Sequence, residues 1–355
     1  MSQYRILAIN LGSSSTKIAY YIDEECQWKE NINHKADDLR AFDRIWDQYD
    51  FRKQSINEFL SQKNLKLSDM NAIVSRGGHT HPIIGGVYRI TEKMLEESAT
   101  ERYGNHATDL GIKLAYGFSK EGPVPLTVDP PTTDEFEPLS RYSGLPQLPR
   151  RSSFHILNHR AVGRQYAKDI QIPYEEMNLV VAHMGGGISV AAHKRGKLVD
   201  ANNAIDGDGP FSTNRCCTVP VGGLVKMCYS REYTYQQMKK ILNGNGGMMA
   251  YLGESDVETV CKAADGGDAK SAEVLDAMSY QTAKEIASCA AVLKGDVDAI
   301  LLTGGIAYSD RITGFIQEHV SFIAPVKRYP GEYEMQSLAL NALAALCGRE
   351  EIKEL

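Results

Sequence analysis

The chain has 355 residues, of which 43% are hydrophobic and 24% are charged, and its formal net charge is −6. A chain of this length can bury a substantial core and can divide into two domains. Its sequence contains no basic run and no interleaved basic and aromatic pattern, so a nucleic-acid partner is not expected.

No export signal or membrane span is readable in the sequence. The opening MSQYRILAIN leads directly into a strand-like run, without the successive regions of a secretory leader. No apolar stretch reaches the roughly 18 residues of a membrane span. The seven cysteines are scattered and form no CxxC pair, which disfavours a disulfide framework or a zinc site. We therefore expect a cytoplasmic protein with no membrane partner.

The same kind of β-hairpin is predicted twice along the chain. Each has two strand-like runs joined by small residues: residues 4–11 and 17–22 around the turn 12–16, then residues 178–184 and 188–193 around the turn 185–187. This spacing is too long for a solenoid and predicts two domains of related fold. We place the first at residues 1–160, completed by a C-terminal helix in 335–355, and the second at 161–334.

Between the hairpins, apolar residues recur at the three- and four-residue steps typical of helices. The predicted helices span residues 49–64, 91–103, 108–116, 159–169, 235–243, 270–294 and 335–347. Residues 298–302 predict a short strand that ends at Thr303, Gly304 and Gly305. Residues 122–151 contain seven prolines and are predicted to be mostly loop. The fold class is therefore α/β.

Three turns of small residues follow predicted strands, and they are candidates for binding phosphate: residues 12–15, 185–187 and 304–305. Glycine lets backbone N–H groups approach phosphate oxygens closely. A single glycine turn is more often only a tight turn, but three at strand ends favour a nucleotide site. The sequence contains neither a P-loop nor a G-x-G-x-x-G motif after a strand.

Four segments resemble motifs of the acetate kinase family. NLGSSSTK from Asn10 to Lys17 resembles N-A-G-S-S-S-x-K, and SSFHILNH at residues 152–159 resembles G-F-H-G-T-S-H. HMGGG at residues 183–187 resembles H-L-G-N-G, and LTGGI at residues 302–306 resembles F-T-G-G-I. These matches follow the family order along nearly the whole chain.

The resemblance implies two duplicated ribonuclease H-like domains of the actin-like ATPase type, with a cleft between them. It also implies ATP/ADP and Mg²⁺ as cofactors and a homodimer or higher homo-oligomer. The short length, SRGG at residues 75–78 and PGEYEM at residues 330–335 are closer to the butyrate and branched-chain carboxylate kinases of the family. The expected reaction therefore converts ATP and a short-chain carboxylate into ADP and an acyl phosphate, reversibly.

Three alternatives stay open at this point: an acetate or propionate kinase, a kinase of sugars or polyols on the same fold, and a non-enzymatic actin-like ATP-binding protein. A sugar kinase would need a base for its neutral hydroxyl, which a carboxylate nucleophile does not need.

The resemblance assigns the carboxylate substrate and the metal to a small set of residues. Arg76, before two glycines, matches the carboxylate-binding arginine; a solvated surface arginine is the alternative. Asp129, Glu334 or its neighbour Glu332, and Asn10 match positions near Mg²⁺. As alternatives, Asp129 would cap a turn, and Glu334 would be an acidic residue in the first turn of a helix, where the helix dipole favours a negative charge.

The remaining assigned residues surround the phosphate chain. His155 and His183 would donate hydrogen bonds to the transferring phosphoryl group. The second family arginine has no direct counterpart, because Tyr229 occupies the aligned position; Arg215 is the substitute, or it pairs with Asp206 or Asp208. The other phosphate-binding candidates are Asn10, Ser13, Ser14, Lys17, Gly185, Gly186, Gly187, Gly304 and Gly305. Adenosine is expected near residues 246–256 and 304–306, although GGMMAYLG also fits a buried apolar loop.

Overall fold

The structure is a computed structural model that describes residues 3–205 and 207–355. The strands of the described residues form two sheets: β1 (Arg5–Leu11), β2 (Ser15–Ile22), β3 (Glu25–Asn33), β4 (Ala72–Ser75), β5 (Val87–Arg89), β6 (Val124–Val128), β7 (Asn178–Met184), β8 (Ile188–Lys194), β9 (Lys197–Ala201), β10 (Ala299–Gly304), β11 (Val326–Pro330) and β12 (Ile352–Lys353).

The helices cover the segments between these strands: α1 (Ala36–Arg40), α2 (Tyr49–Gln62), α3 (Glu92–Ala99), α4 (Ala107–Phe118), α5 (Ile156–Ile170), α6 (Val221–Tyr229), α7 (Tyr235–Leu242), α8 (Gly247–Leu252), α9 (Val257–Asp265), α10 (Ala269–Val292), α11 (Asp310–Val320) and α12 (Glu334–Leu346). None of the helices in the described part of the chain has both the length and the apolarity needed to cross a bilayer.

The described chain divides into two compact units. The first unit contains residues 3–134 and 333–355, and the second contains residues 135–205 and 207–332. Residues 135–160, which the sequence assigned to the first domain, belong to the second unit. The reason is local packing: α5 lies against β7 and β10, and the N–H of Glu137 donates to the carbonyl of Val199 at 3.0 Å. The C-terminal segment returns to the first unit, where α12 packs on β1 and β12 pairs with β5.

Both units contain the same five-stranded arrangement. In the first, β1 pairs antiparallel with β2 and β2 with β3, while β1, β4 and β6 run parallel. In the second, β7, β8 and β9 repeat the antiparallel part, and β7, β10 and β11 repeat the parallel part. The prediction of two duplicated α/β domains is therefore confirmed.

The longest helix, α10, confirms a prediction made from apolar spacing. Its predicted inward stripe is buried: Leu275, Met278, Thr282, Ile286 and Cys289. The helix begins where the side chain of Asp268 accepts a hydrogen bond from the N–H of Ser271 at 3.0 Å. It ends before Gly295, which has φ +79° and donates to the carbonyl of Ala290. Both ends therefore follow ordinary capping chemistry.

The prediction that residues 122–151 are mostly loop missed β6, a strand that contains Pro125. The carbonyl oxygen of Pro125 accepts a hydrogen bond from Ile90, one residue beyond the end of β5. The proline nitrogen therefore faces a side where the β5 ladder has already ended. Proline is tolerated in a strand at such a position, near the end of the ladder with its neighbour.

Gly304, at the end of β10, should be indispensable to the second unit. It has φ +87°, and a Cβ atom there would lie 2.2 Å from the carbonyl oxygen of Met184. We expect Gly304→Ala to lower the free energy of unfolding by at least about 1–3 kcal/mol, since the backbone conformation alone costs that much. Urea denaturation measures the change.

Gly305→Ala is the matched control for this substitution. A Cβ on Gly305 meets no atom within 4 Å, and we expect a stability change within about 0.5 kcal/mol. Equal stability of the two variants would contradict the role given to Gly304.

Candidate active site

The carboxyl end of the first sheet brings together three residues that are far apart in sequence. Asn10 lies at the end of β1, Arg76 directly follows β4, and Glu334 is the first residue of α12. The Nδ2 of Asn10 donates to Oε2 of Glu334 at 2.8 Å. The Nη1 of Arg76 lies 2.9 Å from Oε1 and 3.0 Å from Oε2 of the same carboxylate. We call these three residues the Arg76 cluster.

Arg76 is not a solvated surface arginine, because its side chain is only 26% exposed and is paired with a buried carboxylate. The backbone after it is tightly constrained. Gly77 has φ +135°, and a Cβ there would lie 2.1 Å from the carbonyl oxygen of Thr108 on α4. The carboxylate of Asp109 accepts from the N–H groups of Gly78 and His79, each at 3.0 Å. The segment that presents the guanidinium is therefore fixed by α4.

Asp129 is buried immediately after β6 and has φ +43°. Its Oδ1 accepts from the N–H of Gly86 at 2.9 Å, and its own N–H donates to the carbonyl of Gly86 at 3.0 Å. The turn-capping role considered for this aspartate is therefore present, and it holds the carboxylate in one orientation.

The donor chemistry of these residues fits Mg²⁺, which prefers oxygen ligands and keeps several waters. Asp129 offers a carboxylate, and Asn10 donates through Nδ2, which leaves its Oδ1 available. Both oxygens of Glu334 are instead occupied by Arg76 and Asn10, whereas Glu332 is exposed. Across the described ranges, no group of three or more His, Cys, Asp and Glu residues has a metal-binding arrangement. Mg²⁺ would thus depend on few protein ligands and on phosphate oxygens.

The first hairpin turn presents small polar residues beside this cluster. Ser13 and Ser14 are exposed at its tip. Lys17 on β2 lies directly opposite Asn10 on β1, and opposite residues of an antiparallel pair project from the same face of the sheet. The turn residues and Lys17 therefore belong to the same edge of the first unit as Asn10.

In the second unit, two glycine turns are neighbours because β7 and β10 pair in parallel. Thr303 lies opposite His183 in the register, and Gly304 packs against the backbone of Met184. The N–H of Gly304 also donates to the carbonyl of Gly331 at 3.1 Å. The carboxyl ends of parallel strands meet at one edge, which is where α/β folds bind ligands.

A pocket of about 660 Å³ opens at these turns, within the usual range for small-molecule sites. Its lining combines both glycine turns with the segment before α9 and the start of α9: Gly185, Gly186, Thr213, Ser255, Asp256, Val257, Glu258, Cys261, Gly305, Ile306, Tyr308 and Ser309. The segment 246–256 thus has two roles. Gly247 and Met248 are buried, whereas Ser255 and Asp256 line the pocket.

His155 and His183 stack, with ring centroids 3.9 Å apart and an interplanar angle of 14°. His183 lies one residue before the end of β7 and is buried, and His155 precedes α5. The Nδ2 of Asn158 lies 2.8 Å from Nδ1 of His183. Since an amide nitrogen is a donor, Nδ1 of His183 accepts and its proton is on Nε2.

A chain of hydrogen bonds extends from His155 into the interior of the second unit. The Oγ of Ser189 lies 2.9 Å from Nδ1 of His155 and 2.8 Å from Nε2 of His159. The Nδ1 of His159 lies 3.4 Å from Nε2 of His193, whose Nδ1 is 2.8 Å from the hydroxyl of Tyr174. We call these five residues the histidine chain.

The two inner histidines of this chain are uncharged near neutral pH. Burial, the neighbouring His193 and then His183 lower the pKa of His159 well below its usual value. Burial, followed by the charge of Arg160, lowers the pKa of His193 to about 3. A neutral imidazole carries one N–H, so each ring donates once and accepts once.

The direction of the histidine chain determines the tautomer of His155. The phenol of Tyr174 can donate to Nδ1 of His193 or accept from it, and this choice fixes the direction of every later bond. We take Tyr174 as the first donor, so that His193 donates through Nε2 to His159. His159 then donates through Nε2 to Ser189, whose hydroxyl is left to donate to Nδ1 of His155. This order places the His155 proton on Nε2, where it can donate to an anionic ligand.

Arg215, not Tyr229, lies against a glycine turn. A Cβ on Gly187 would lie 2.2 Å from Nη1 of Arg215, and that Nη1 also donates to the carbonyl of Ala204. Tyr229 is 84% exposed on α6. Of the two acids considered as partners of Arg215, Asp208 binds Arg150, and Asp206 lies outside the described residues. The arginine is therefore positioned beside the turn 185–187.

The sequence reasoning missed the supporting residues of the histidine chain. The sequence contains two four-residue spacings that indicate the histidine chain, one between His155 and His159 and one between Ser189 and His193. The first spacing places His155, at the N-terminal cap of α5, one helical turn from His159, and the second places two polar residues on one face of β8. Only the packing of α5 on the sheet shows that these residues meet.

The comparisons with known proteins agree on one family. Residues 144–323 match the acetokinase family. The chain is 46% identical to butyrate kinase 1 of Clostridium acetobutylicum over 99% of both chains. It is also 46% identical to a probable butyrate kinase of Phocaeicola vulgatus over 97% of both chains.

Two solved structures share the fold at low sequence identity. The crystal structure of Porphyromonas gingivalis acetate kinase has a TM-score of 0.80 at 17% identity, covering 97% of this chain and 100% of its own. A propionate kinase from Francisella tularensis has a TM-score of 0.76 at 18% identity, covering 95% and 98%. The predicted fold class is thereby confirmed.

The tautomer of His155 should depend on Ser189. In the wild-type protein we expect the ¹⁵N NMR spectrum of labelled histidine to show His155 with its proton on Nε2. Ser189→Ala removes the donor to Nδ1, so we expect a mixture of tautomers. Ser279→Ala is the matched control, because its buried hydroxyl donates within α10, to the carbonyl of Leu275 at 2.8 Å. An unchanged His155 signal in Ser189→Ala would contradict the direction given to the chain.

Proposed function

This chain belongs to the acetokinase family, and on that premise we propose that it is a butyrate kinase. It transfers the γ-phosphoryl group of ATP to butyrate or a branched-chain analogue and forms ADP and an acyl phosphate. The observation that carries the proposal is the 46% identity to butyrate kinase 1 of Clostridium acetobutylicum across 99% of both chains. The acyl phosphate is a high-energy donor, so the reaction also runs toward ATP.

The geometry of Arg76 supports a carboxylate acceptor. Its Nη1 is fixed by Glu334, and within the described residues Nη2 and Nε donate to no other side chain. One edge of a half-buried guanidinium is thus oriented and left for a planar anion, which arginine binds through two parallel hydrogen bonds. Glu334 acts as a positioning residue for this arginine.

The transfer itself needs little covalent assistance. A carboxylate oxygen of the substrate attacks the γ-phosphorus, a new O–P bond forms, and the bond from phosphorus to the β,γ-bridging oxygen breaks as ADP leaves. The acceptor is already an anion, so no general base is required. The task of the protein is to align the reactants and to stabilise charge on the phosphoryl oxygens.

Several described groups suit that task. His183, and His155 in the tautomer inferred above, carry their protons on Nε2 and can donate to phosphoryl oxygens. Arg215 adds a cation beside the turn 185–187, and burial lowers its pKa from a value far above neutrality. Mg²⁺, held through Asp129 and Asn10, would neutralise the phosphate charge.

The pocket at the turns 185–187 and 304–305 is proposed to hold the nucleotide. Gly185, Gly186 and Gly305 contribute backbone to its wall. Ser255, Asp256 and Tyr308 provide polar groups of the kind that orient a base and ribose. We further propose that the enzyme acts in the cytoplasm, where ATP is supplied, and as a homodimer.

A hydroxamate assay across C2 to C5 carboxylic acids should detect an acyl phosphate with ATP and Mg²⁺. We expect the highest kcat/KM with butyrate or its branched analogues. One methylene changes binding by only about 1–3 kcal/mol, so propionate should be a weaker substrate. A preference for acetate or propionate would reassign the substrate. Phosphorylation of a sugar without hydroxamate, or ATP binding with no acid-dependent turnover, would contradict a carboxylate kinase.

Arg76→Ala should lose carboxylate recognition while retaining nucleotide binding. Removing one partner of a hydrogen-bonded charge pair costs about 2–5 kcal/mol, so kcat/KM for butyrate should fall by about 30-fold or more. Calorimetric titration should give an ADP affinity within about threefold of the wild type. Arg89→Ala is the control, because Arg89 pairs with the exposed Glu354 away from the Arg76 cluster. Full activity of Arg76→Ala would remove Arg76 from the site.

A further inference from the structure

Arg52 is the largest side chain among the fully buried residues, with 1% of its surface exposed. It lies on the first turn of α2, directly beneath the hairpin turn that joins β1 and β2. A buried guanidinium costs several kcal/mol of desolvation unless its N–H groups and its charge are both compensated. The hydrogen-bond partners of Arg52 therefore indicate the function of its positive charge.

The N–H groups of Arg52 are compensated by the turn. Nη1 donates to the carbonyl of Ser15 at 2.9 Å and to Oγ1 of Thr16 at 3.0 Å. Nη2 donates to the carbonyls of Gly12 at 3.3 Å and Ser13 at 3.0 Å. Nε and Nη2 also reach Oε1 of Gln48 on the preceding turn, at 3.1 and 3.0 Å.

The charge of Arg52 is not compensated in the same way. Among the described residues, all of its hydrogen-bond acceptors are carbonyl, hydroxyl or amide oxygens, and none is a carboxylate. Burial lowers the pKa of Arg52 to about 10, so it stays protonated at neutral pH. The neighbouring His34, whose Nε2 contacts Thr16, has a pKa lowered to about 4 by burial and then by Arg52, and is neutral.

The outer face of the same turn shows the complementary pattern. The carbonyl groups of Gly12, Ser13 and Ser15 point inward to Arg52. The backbone N–H groups of the exposed Ser13 and Ser14 donate to no other group within the described residues. A backbone that directs its carbonyls to a buried cation and leaves its N–H groups outward forms an anion-binding surface.

We propose that Arg52 is a positioning residue for phosphate, which orders the turn 12–16 and supplies an uncompensated positive charge behind it. The anion is the phosphate chain of the nucleotide, so this inference rests on the proposed function. Arg52 does not touch the ligand. It acts through the turn backbone, and its charge is only weakly screened because the side chain is buried.

Gln48→Glu separates the charge of Arg52 from its structural role. The substitution keeps an oxygen acceptor for Arg52 at the same position but adds a carboxylate that neutralises it. We expect ADP, with Mg²⁺, to bind about tenfold more weakly by calorimetric titration, which is about 1.4 kcal/mol. Adenosine, which has no phosphate, should bind as to the wild type, and the thermal midpoint should not fall.

Gln62→Glu is the matched control, because it makes the same chemical change at an exposed position at the far end of α2. It should leave the ADP affinity within about twofold of the wild type, as expected for a screened surface charge. Equal ADP affinities of the Gln48→Glu and Gln62→Glu proteins would overturn the proposal. Hydroxamate formation by the wild type is measured separately, so failure of the proposed function is distinguishable from failure of this inference.

A second pair of variants tests the same charge if Gln48→Glu does not fold. Arg52→Lys keeps the cation and loses the planar fork, whereas Arg52→Met keeps the length and loses the charge. We expect Arg52→Lys to bind ADP within about threefold of the wild type and Arg52→Met to bind about tenfold more weakly. Equal loss in both variants would assign Arg52 a purely structural role.

Discussion

The parallel pairing at the centre of each sheet is the constraint on which the candidate residues of that unit depend. β1 pairs with β4 in the first unit and β7 with β10 in the second. Because parallel strands end at the same edge, Asn10 and Arg76 come together in one unit, and His183 and Gly304 come together in the other. The register also explains the glycines, since Gly304 must pass the backbone of Met184 without a side chain.

The buried polar side chains of the two units differ in charge. In the second unit, His159 and His193 are kept neutral by burial, and a neutral ring is satisfied by one donor and one acceptor. In the first unit, Arg52 keeps its charge and is satisfied by backbone carbonyls. A neutral chain fixes the orientation of a proton, whereas a retained charge creates an electrostatic field.

The C-terminal helix completes the Arg76 cluster. Glu334 begins α12 and is the acceptor for both Asn10 and Arg76. An acidic residue in the first turn is also favoured by the helix dipole, so the stabilising role considered for Glu334 and its role in the site are compatible. Arg76 thereby gains one fixed N–H donor and retains others for a ligand.

The sequence by itself determined the duplicated hairpins, the amphipathic α10 and the family motifs, because these depend on local spacing and composition. It also identified Arg76, His155 and His183 as candidates, since each lies within or beside a motif. It could not place Pro125 in β6, because the tolerance of that proline depends on where β5 ends.

Only the tertiary structure brought Glu334 to Arg76, 258 residues away, and showed that α5 joins His155 to the strand residues Ser189 and His193. Such contacts depend on how helices pack on a sheet, and a linear pattern does not specify that packing.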